Sequence, residues 1–258
     1  MYGKSLKTEL KSELSSNFLK LSKSLIMPIP HLLAKEANRS IRGPFPRTLL
    51  EVLVGMDNYG IYELKEFYRH KFKTAIERDL GGMMIVTRGY KKLALALLQG
   101  TRNESPVVDD RLAEEDAREL FRAGVNRFGT DDPVFNELLS SRSYEHIRVV
   151  FAKYRVEAHE DIEESIRSEM SGEAQDIYLM LVNMIRNPEA YFAEALLRIL
   201  KGVGTDDDEL IKIVTWRSEI DLVEIKEHFS QITDKSLSDY IRSDTSGDFR
   251  SLLLAIVT

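Results

Sequence analysis

The chain has 258 residues, 43% of them hydrophobic and 30% charged, with a formal net charge of −6 at pH 7. This is enough apolar material for a sizeable core, in one large domain or in several small ones. Cysteine is absent, which excludes a disulfide framework and any thiolate metal site. The field of a net-acidic protein does not draw it to nucleic acid or to an anionic bilayer, so contact with such a surface would need a bridging cation or a local basic patch.

The N-terminus has neither a secretion signal nor a membrane anchor that we can recognise. The first seven residues lack the long apolar region of a signal peptide. No run of about 18 apolar residues, the length needed to span a bilayer, occurs in the sequence. We therefore expect the protein to be cytosolic.

Residues 1–27 contain part of a unit that recurs later in the chain. Glu-Leu-Ser-Ser at 13–16 resembles Glu-Met-Ser-Gly at 169–172. Because Glu13 is so close to the first residue, this unit lacks its first half. The missing helices are expected to leave apolar side chains such as Leu10, Phe18 and Leu21 exposed, unless the sequence is incomplete, which is the interpretation we favour. A second, degraded copy is expected over 28–103, ending in the polar connection 101–106.

Two strong copies of the unit follow, at 112–187 and 188–258. Gly-Thr-Asp-Asp at 129–132 recurs at 204–207, and Arg-Ser at 142–143 recurs at 217–218. Ile-Arg-Ser-Glu at 166–169 recurs as Ile-Arg-Ser-Asp at 241–244. All three matches share one spacing of 75 residues (129 to 204) without gaps. The chain therefore contains three full-length units and one truncated unit.

The units are expected to be helical. Apolar residues recur at i, i+3, i+4 and i+7 along one predicted helix, and the last unit has a matching helix. These residues are Ile147, Val150, Phe151 and Tyr154, and then Leu222, Ile225 and Phe229. Thr130 and Thr205, each followed by acidic residues, are predicted N-caps of further helices. Asn187-Pro188 is predicted to open another helix, with proline at its first position.

Each strong copy combines a glycine loop with a single acidic residue. The last glycines of the loops, Gly129 and Gly204, lie 40 residues before Glu169 (129 to 169) and Asp244 (204 to 244). Glycines allow several backbone carbonyls to turn towards one point. Calcium prefers six to eight oxygen ligands, carbonyls and carboxylates together. The pattern therefore favours a calcium site with coordination positions left for an external phosphate oxygen. The alternative is a plain helix–helix turn in which the acid is only an N-cap.

Other chemistries do not match the sequence. Asp207 stands where a dinucleotide-binding GxGxxG motif needs its third glycine, no GxxxxGK[ST] motif occurs, and the acids at 206–208 lack the glycine and glutamate of an EF-hand loop. The five histidines are scattered, and no catalytic nucleophile motif is recognisable. We expect a protein that is not an enzyme.

With these motifs the sequence resembles the annexin family. The residues that carry the resemblance are the glycine loops, Arg142-Ser143 with Arg217-Ser218, and the turns at 169–172 and 244–247. The resemblance implies an all-α array of four five-helix repeats in a curved disc, with the first repeat incomplete. It also implies two calcium sites. The implied ligands of the last repeat are the carbonyls of Leu200, Gly202 and Gly204 and the side chain of Asp244. Those of the third repeat are the carbonyls of Gly124, Arg127 and Gly129 and the side chain of Glu169.

Two details of the resemblance stay open. Phe128 at the tip of the third repeat's loop is either an aromatic residue that enters the lipid interface or a buried residue. In the second repeat, prolines at 44 and 46 restrict the loop and the second glycine is missing. The acid there is either Asp79 or absent, with Val86 in its place. In both cases we predict no ordinary calcium site in that repeat.

The resemblance implies calcium-dependent binding to anionic phospholipid of the phosphatidylserine type, in which Ca²⁺ bridges protein oxygens and lipid phosphates. The partners would be acidic membranes and not nucleic acid, and the protein would be a monomer in solution. It would be cytoplasmic, and peripheral on plasma or vesicle membranes when calcium rises. The alternative is a calcium-independent helical-repeat scaffold that binds protein partners.

Overall fold

The structure, a computed structural model, describes residues 10, 14, 16–44, 46–123, 133–202 and 206–258. These residues contain sixteen α-helices and no strand. The helix α1, Ser16–Leu25, precedes three groups of five helices. A group of five follows: α2 Ile29–Arg42, α3 Pro46–Val54, α4 Asn58–Phe72, α5 Ile76–Gly81 and α6 Arg88–Leu97. The next group is α7 Asp110–Ala123, α8 Pro133–Ser141, α9 Tyr144–Ala158, α10 Ile162–Glu169 and α11 Gly172–Arg186. The last is α12 Pro188–Lys201, α13 Asp207–Arg217, α14 Leu222–Gln231, α15 Leu237–Asp244 and α16 Gly247–Val257.

This order of the described helices confirms the predicted all-α architecture of repeated five-helix units. The fourth helix of each group is short, with 6, 8 and 8 residues. The exact limits of the four repeats stay predictions, and α7 begins at Asp110, two residues before the predicted start at 112.

The chain divides into two compact units, one of residues 33–186 and one of residues 1–32 with 187–258. In the first of these, the apolar face predicted from the sequence is confirmed: Ile147, Val150, Phe151 and Tyr154 are all buried. Burial of each such side chain contributes roughly 1.5–3 kcal/mol.

In the unit of 1–32 with 187–258, the first helix packs on α13 and α16. Leu21 on that helix is fully buried, and Phe18 and Leu10 are half-buried. The expectation that Leu21 would be exposed is therefore wrong, because the last repeat covers it. Around Trp216, the ring of Phe192 lies edge-on at a centroid distance of 5.3 Å.

Helix starts follow local capping chemistry, with one correction. Asn187 caps α12 as predicted, since its side chain accepts a hydrogen bond of 2.9 Å from the backbone N–H of Ala190. The N-cap of α13 is Asp206 and not the predicted Thr205. The carboxylate of Asp206 accepts a hydrogen bond of 3.0 Å from the backbone N–H of Glu209. Thr130 and Thr205 themselves lie outside the described residues. Across the described ranges, no helix has both the length and the apolar character needed to cross a bilayer.

Candidate functional site

The two predicted acidic ligands occupy the same place in their repeats. Glu169 is the last residue of α10 and Asp244 is the last residue of α15, and both are exposed. The next residues, Met170 and Thr245, are extended, with φ of −114° and −119°. We name the segments 169–172 and 244–247 the acid turns. Each acid turn ends a short helix with its carboxylate facing solvent.

A glycine closes each acid turn in a conformation that other residues rarely adopt. Gly172 has φ of 63° and Gly247 has φ of 60°. This is the left-handed region, where a Cβ would be strained even though the space around both positions is open. In contrast, Gly202 of the predicted glycine loop is extended, with φ of −67°, so its backbone does not depend on glycine.

A side chain from the following helix holds each acid turn. Nε2 of Gln175 donates a hydrogen bond of 2.6 Å to the carbonyl of Met170, and Nε of Arg250 donates one of 2.6 Å to the carbonyl of Thr245. Gln175 and Arg250 are the fourth residues of α11 and α16. We name them the clasp residues. Both clasp residues lie six residues after the acid, so the repeat spacing relates them. They could not be recognised from residue type, because one is a glutamine and the other an arginine.

An open polar pocket of about 460 Å³ lies beside the acid turn of the last repeat. Its acidic lining consists of Asp207, Asp244 and Asp248, and Asn17 also lines it. Burial raises the pKa of Asp207, the amide of Asn17 lowers it by donating a hydrogen bond, and the charge of Asp244 raises it again. The resulting pKa is above the ordinary value, mainly because of burial, with a smaller contribution from the neighbouring charge of Asp244.

The donor chemistry in the last repeat fits calcium. Leu200 is next to last in α12, so its carbonyl is among the four that a helix end leaves without an intrahelical partner. Helix α12, which carries Leu200, packs on α15, which carries Asp244. Carbonyl and carboxylate oxygens are the ligands that calcium prefers. Gly202 follows α12 directly, and Gly204 lies outside the described residues.

The site of the third repeat is described only through its acid. Gly124, Arg127 and Gly129, and Phe128 with them, lie outside the described residues. Within the described part of the chain, no group of three acidic or histidine side chains is arranged to hold a metal ion. A site built from one carboxylate and several carbonyls does not require such a group.

Counting from the flanking helices places an apolar residue of the second repeat at the position of Glu169. Lys73 and His159 are corresponding left-handed residues that end α4 and α9. Counting six residues onward gives Asp79 and Ser165, and counting ten gives Met83 and Glu169. Counting back three residues from the first residues of α6 and α11, Arg88 and Gly172, instead gives Ile85 and Glu169. Both counts give an apolar residue in the second repeat, Met83 or Ile85, and the absence of an ordinary calcium site there stays a prediction.

The carboxylate of Asp79 accepts hydrogen bonds from two side chains of its own repeat. It accepts one of 2.9 Å from the hydroxyl of Tyr68 and one of 3.0 Å from that of Thr74. Ser165 makes the corresponding contacts in the third repeat, at 3.1 Å with Tyr154 and 2.6 Å with Glu160. Asp79 thus holds α5 against α4, and its carboxylate already accepts two hydrogen bonds.

The two strong repeats differ in the partner of their matching arginine. Nε of Arg142 donates a hydrogen bond of 2.7 Å to the carboxylate of Asp116, which also lies 2.9 Å from Nε2 of His146. Burial would raise the pKa of Asp116, but the hydrogen bonds from Arg142 and His146 outweigh it and hold that pKa below its ordinary value. Nε of Arg217, the matching arginine at the end of α13, instead donates a hydrogen bond of 2.7 Å to Asp221, the N-cap of α14.

Comparison with known proteins agrees with this geometry. The family model described as Annexin matches residues 115–181 and 191–256. Human annexin A13 is 43% identical over 258 residues, covering 99% of this chain and 81% of that protein. The structure of annexin III superposes with a TM-score of 0.92 at 38% identity, over 99% of this chain and 80% of that one. The structure of calcium-bound annexin (Sm)1 has a TM-score of 0.89 at 25% identity, over 99% and 77% of the two chains.

Proposed function

Because the chain belongs to the annexin family, whose members bind phospholipid in a calcium-dependent way, we propose that it binds anionic phospholipid membranes through Ca²⁺. The observation that carries this proposal is the pair of acid turns, with exposed Glu169 and Asp244 in the same geometry. In this proposal the protein is not an enzyme. It is a cytoplasmic monomer that becomes peripheral on plasma or vesicle membranes when calcium rises.

The ligands divide into two sets. In the last repeat the carbonyls of Leu200, Gly202 and Gly204 act with the carboxylate of Asp244. In the third repeat the carbonyls of Gly124, Arg127 and Gly129 act with the carboxylate of Glu169. A bound Ca²⁺ supplies positive charge and open coordination positions that phosphate oxygens of phosphatidylserine-type lipid fill.

The residues around each acid contribute rigidity and charge. The clasp residues fix the carbonyl next to the acid, so the carboxylate does not have to be ordered when the ion arrives. The net charge of −6 opposes contact with an anionic bilayer in the absence of an ion. Two sites in one chain act together through effective concentration, so binding should rise steeply with calcium.

Co-sedimentation with phosphatidylserine vesicles over a calcium titration tests the proposal. The protein should sediment in calcium and be released by chelator. Glu169→Gln and Asp244→Asn should each raise the calcium needed for half-maximal binding about tenfold, and the double variant should lose binding. Asp176→Asn and Asp234→Asn, at exposed acids outside the two ligand sets, are the matched controls. Binding that persists in chelator, or that survives the double substitution, contradicts the proposal.

One observation favours a second candidate, a calcium-independent scaffold for protein partners. In the second repeat, counting from either flanking helix places an apolar residue, Met83 or Ile85, at the position of Glu169. Isothermal titration with calcium separates the two functions. A scaffold gives no calcium heat, whereas a calcium-dependent membrane protein gives a heat that Glu169→Gln with Asp244→Asn removes.

A further inference from the structure

The second repeat has an apolar loop where the other two have an acid turn. Residues 82–87 connect α5 to α6, whereas only residues 170–171 and 245–246 connect the corresponding helices. At the tip of this loop Met84 is 96% exposed and Ile85 is 56% exposed. Two adjacent large apolar side chains exposed to water are typical of a surface that contacts another molecule or a membrane. We name residues 82–87 the apolar loop.

The base of the apolar loop is held at both ends. Nζ of Lys91 donates a hydrogen bond of 2.9 Å to the carbonyl of Gly81, and the side chain of Thr87 accepts one of 3.2 Å from the backbone of Tyr90. Met83 is buried and anchors the loop to the core. The exposed tip is therefore presented by an ordered base, and its two apolar side chains do not fold back on the protein.

The apolar loop lies next to the acid turn of the third repeat. Val86 and Thr87 line one small apolar pocket together with Glu173 and Ala174. Glu173 is the second residue of α11, the helix that begins at the end of the acid turn 169–172. The charge of Glu173 also contributes to the raised pKa of Tyr90, after the larger effect of burial. A surface that contacts the acid turn of Glu169 is thus within reach of the tip of the loop.

Charge around the apolar loop is complementary to an anionic surface. The segment 78–92 contains four cationic residues and one acid, a formal charge of +3, in a chain whose net charge is −6. These residues are Arg78, Arg88, Lys91 and Lys92, with Asp79. Asp79 accepts hydrogen bonds from Tyr68 and Thr74 inside the repeat. An apolar tip with cationic residues on both sides of it in the sequence matches the interface of an anionic bilayer, where apolar groups enter the acyl boundary and cations remain among the headgroups.

We propose that the apolar loop is a lipid anchor that inserts Met84 and Ile85 into the interface of an anionic bilayer after the acid turn of the third repeat has docked. The inference rests on the proposed calcium-dependent membrane binding and assigns the second repeat a part in it. In the second repeat the apolar loop would supply apolar burial in the connection where the third and last repeats have an acid turn.

A single labelled cysteine tests the insertion directly, since the chain has no cysteine of its own. Met84→Cys carries a polarity-sensitive dye, and Val156→Cys, at an apolar side chain that is 74% exposed on α9, is the matched control. With phosphatidylserine vesicles and calcium, the dye at 84 should shift to the blue and the dye at 156 should not. Sedimentation of both proteins without a shift at 84 overturns the inference while the proposed function stands. If neither protein sediments with the vesicles, both fail.

A charge substitution at the tip gives a second, energetic test. Met84→Asp with Ile85→Asp should raise the calcium needed for half-maximal vesicle binding about tenfold, because two apolar groups no longer enter the interface. Val156→Asp should leave it unchanged. The calcium titration heat in the absence of vesicles should be the same in all three proteins, which separates a lipid contact from damage to the ion sites. An unchanged calcium requirement in the double variant overturns the inference.

Discussion

The hydroxyl of Tyr68 donates a hydrogen bond of 2.9 Å to the carboxylate of Asp79. Burial raises the pKa of Tyr68 to about 12, with the hydrogen bond from Asn38 acting against it and Asp79 adding to it. The corresponding pair in the third repeat, Tyr154 and Ser165, is also hydrogen-bonded, at 3.1 Å. In the last repeat, the residues at these two positions are Phe229 and Tyr240, whose ring centroids lie 5.2 Å apart. The contact position is retained in three repeats, while its chemistry differs in each.

Asp79→Asn should therefore affect stability and not calcium. The amide keeps an oxygen for Tyr68 but loses the charge, so we expect the free energy of unfolding to fall by about 1 kcal/mol. Half-maximal calcium for vesicle binding should stay at the wild-type value. Urea denaturation and vesicle sedimentation measure the two quantities. A calcium requirement as high as that of Glu169→Gln would show that Asp79 is a ligand after all.

Arg250→Ala removes the clasp of the last acid turn without removing a ligand. The carbonyl of Thr245 loses its 2.6 Å hydrogen bond, so the turn that positions Asp244 becomes less ordered. We expect a few-fold increase in the calcium needed for vesicle binding, smaller than for Asp244→Asn, because part of the binding energy then orders the turn. Arg242→Ala, which removes an exposed ion pair with Asp239, is the control and should have no effect. Equal behaviour of the two alanine variants would contradict a role for the clasp.

The ion pair of Asp116 predicts a pH dependence of stability. The pKa of Asp116 in the folded protein is lower than in the unfolded chain, where it is about 3.9. The stabilising contribution is therefore complete above about pH 4 and is lost as the pH falls through the folded pKa. At pH 7, Asp116→Asn should lower the free energy of unfolding by about 2 kcal/mol, since Arg142 and His146 lose their anionic partner. That difference should narrow below pH 4. Urea denaturation of both proteins at several pH values measures it, and a constant difference at all pH values would rule this origin out.

The buried pair of Arg217 and Asp221 should show strong coupling. Arg217 lies over the ring of Phe192 at 4.7 Å, and its carboxylate partner is Asp221. Asp221→Ala leaves a buried guanidinium without an anion and should cost about 3 kcal/mol of stability. Adding Arg217→Met should recover most of that loss, because an apolar side chain replaces the unpaired charge. Guanidinium denaturation of the single and double variants measures the coupling; additive losses would contradict it.

The helices and the two acid turns could be predicted from the sequence because their signals are local and periodic. The apolar face from Ile147 to Tyr154 and the cap at Asn187-Pro188 each lie within one helix. Glu169 and Asp244 could be identified as equivalent because their surroundings recur without gaps at one spacing. Such features need no knowledge of which helices pack together.

The partners of these residues could not be predicted, since they depend on tertiary contacts and on small changes in length. Arg142 and Arg217 match in sequence, yet one pairs with Asp116 and the other with Asp221. Arg142 contacts the carboxylate of Asp116, whereas Arg217 contacts the ring of Phe192 and takes its carboxylate partner from Asp221. In the second repeat the connection at 82–87 is longer than those at 170–171 and 245–246, so counting from the preceding helix and counting from the following helix give different residues at the position of Glu169.

A related contact occurs in the second repeat. Lys91, the fourth residue of α6, donates to the carbonyl of Gly81, the last residue of α5, whereas Gln175 and Arg250 donate to the carbonyl that directly follows the short helix. Such a contact therefore belongs to the folding of the helix pair and does not depend on the ion. In a chain built from duplicated units, an ion site can then be lost or regained by changes confined to one surface turn while the unit keeps its fold. Repeats with and without a ligand acid can for this reason coexist and diverge independently within one protein.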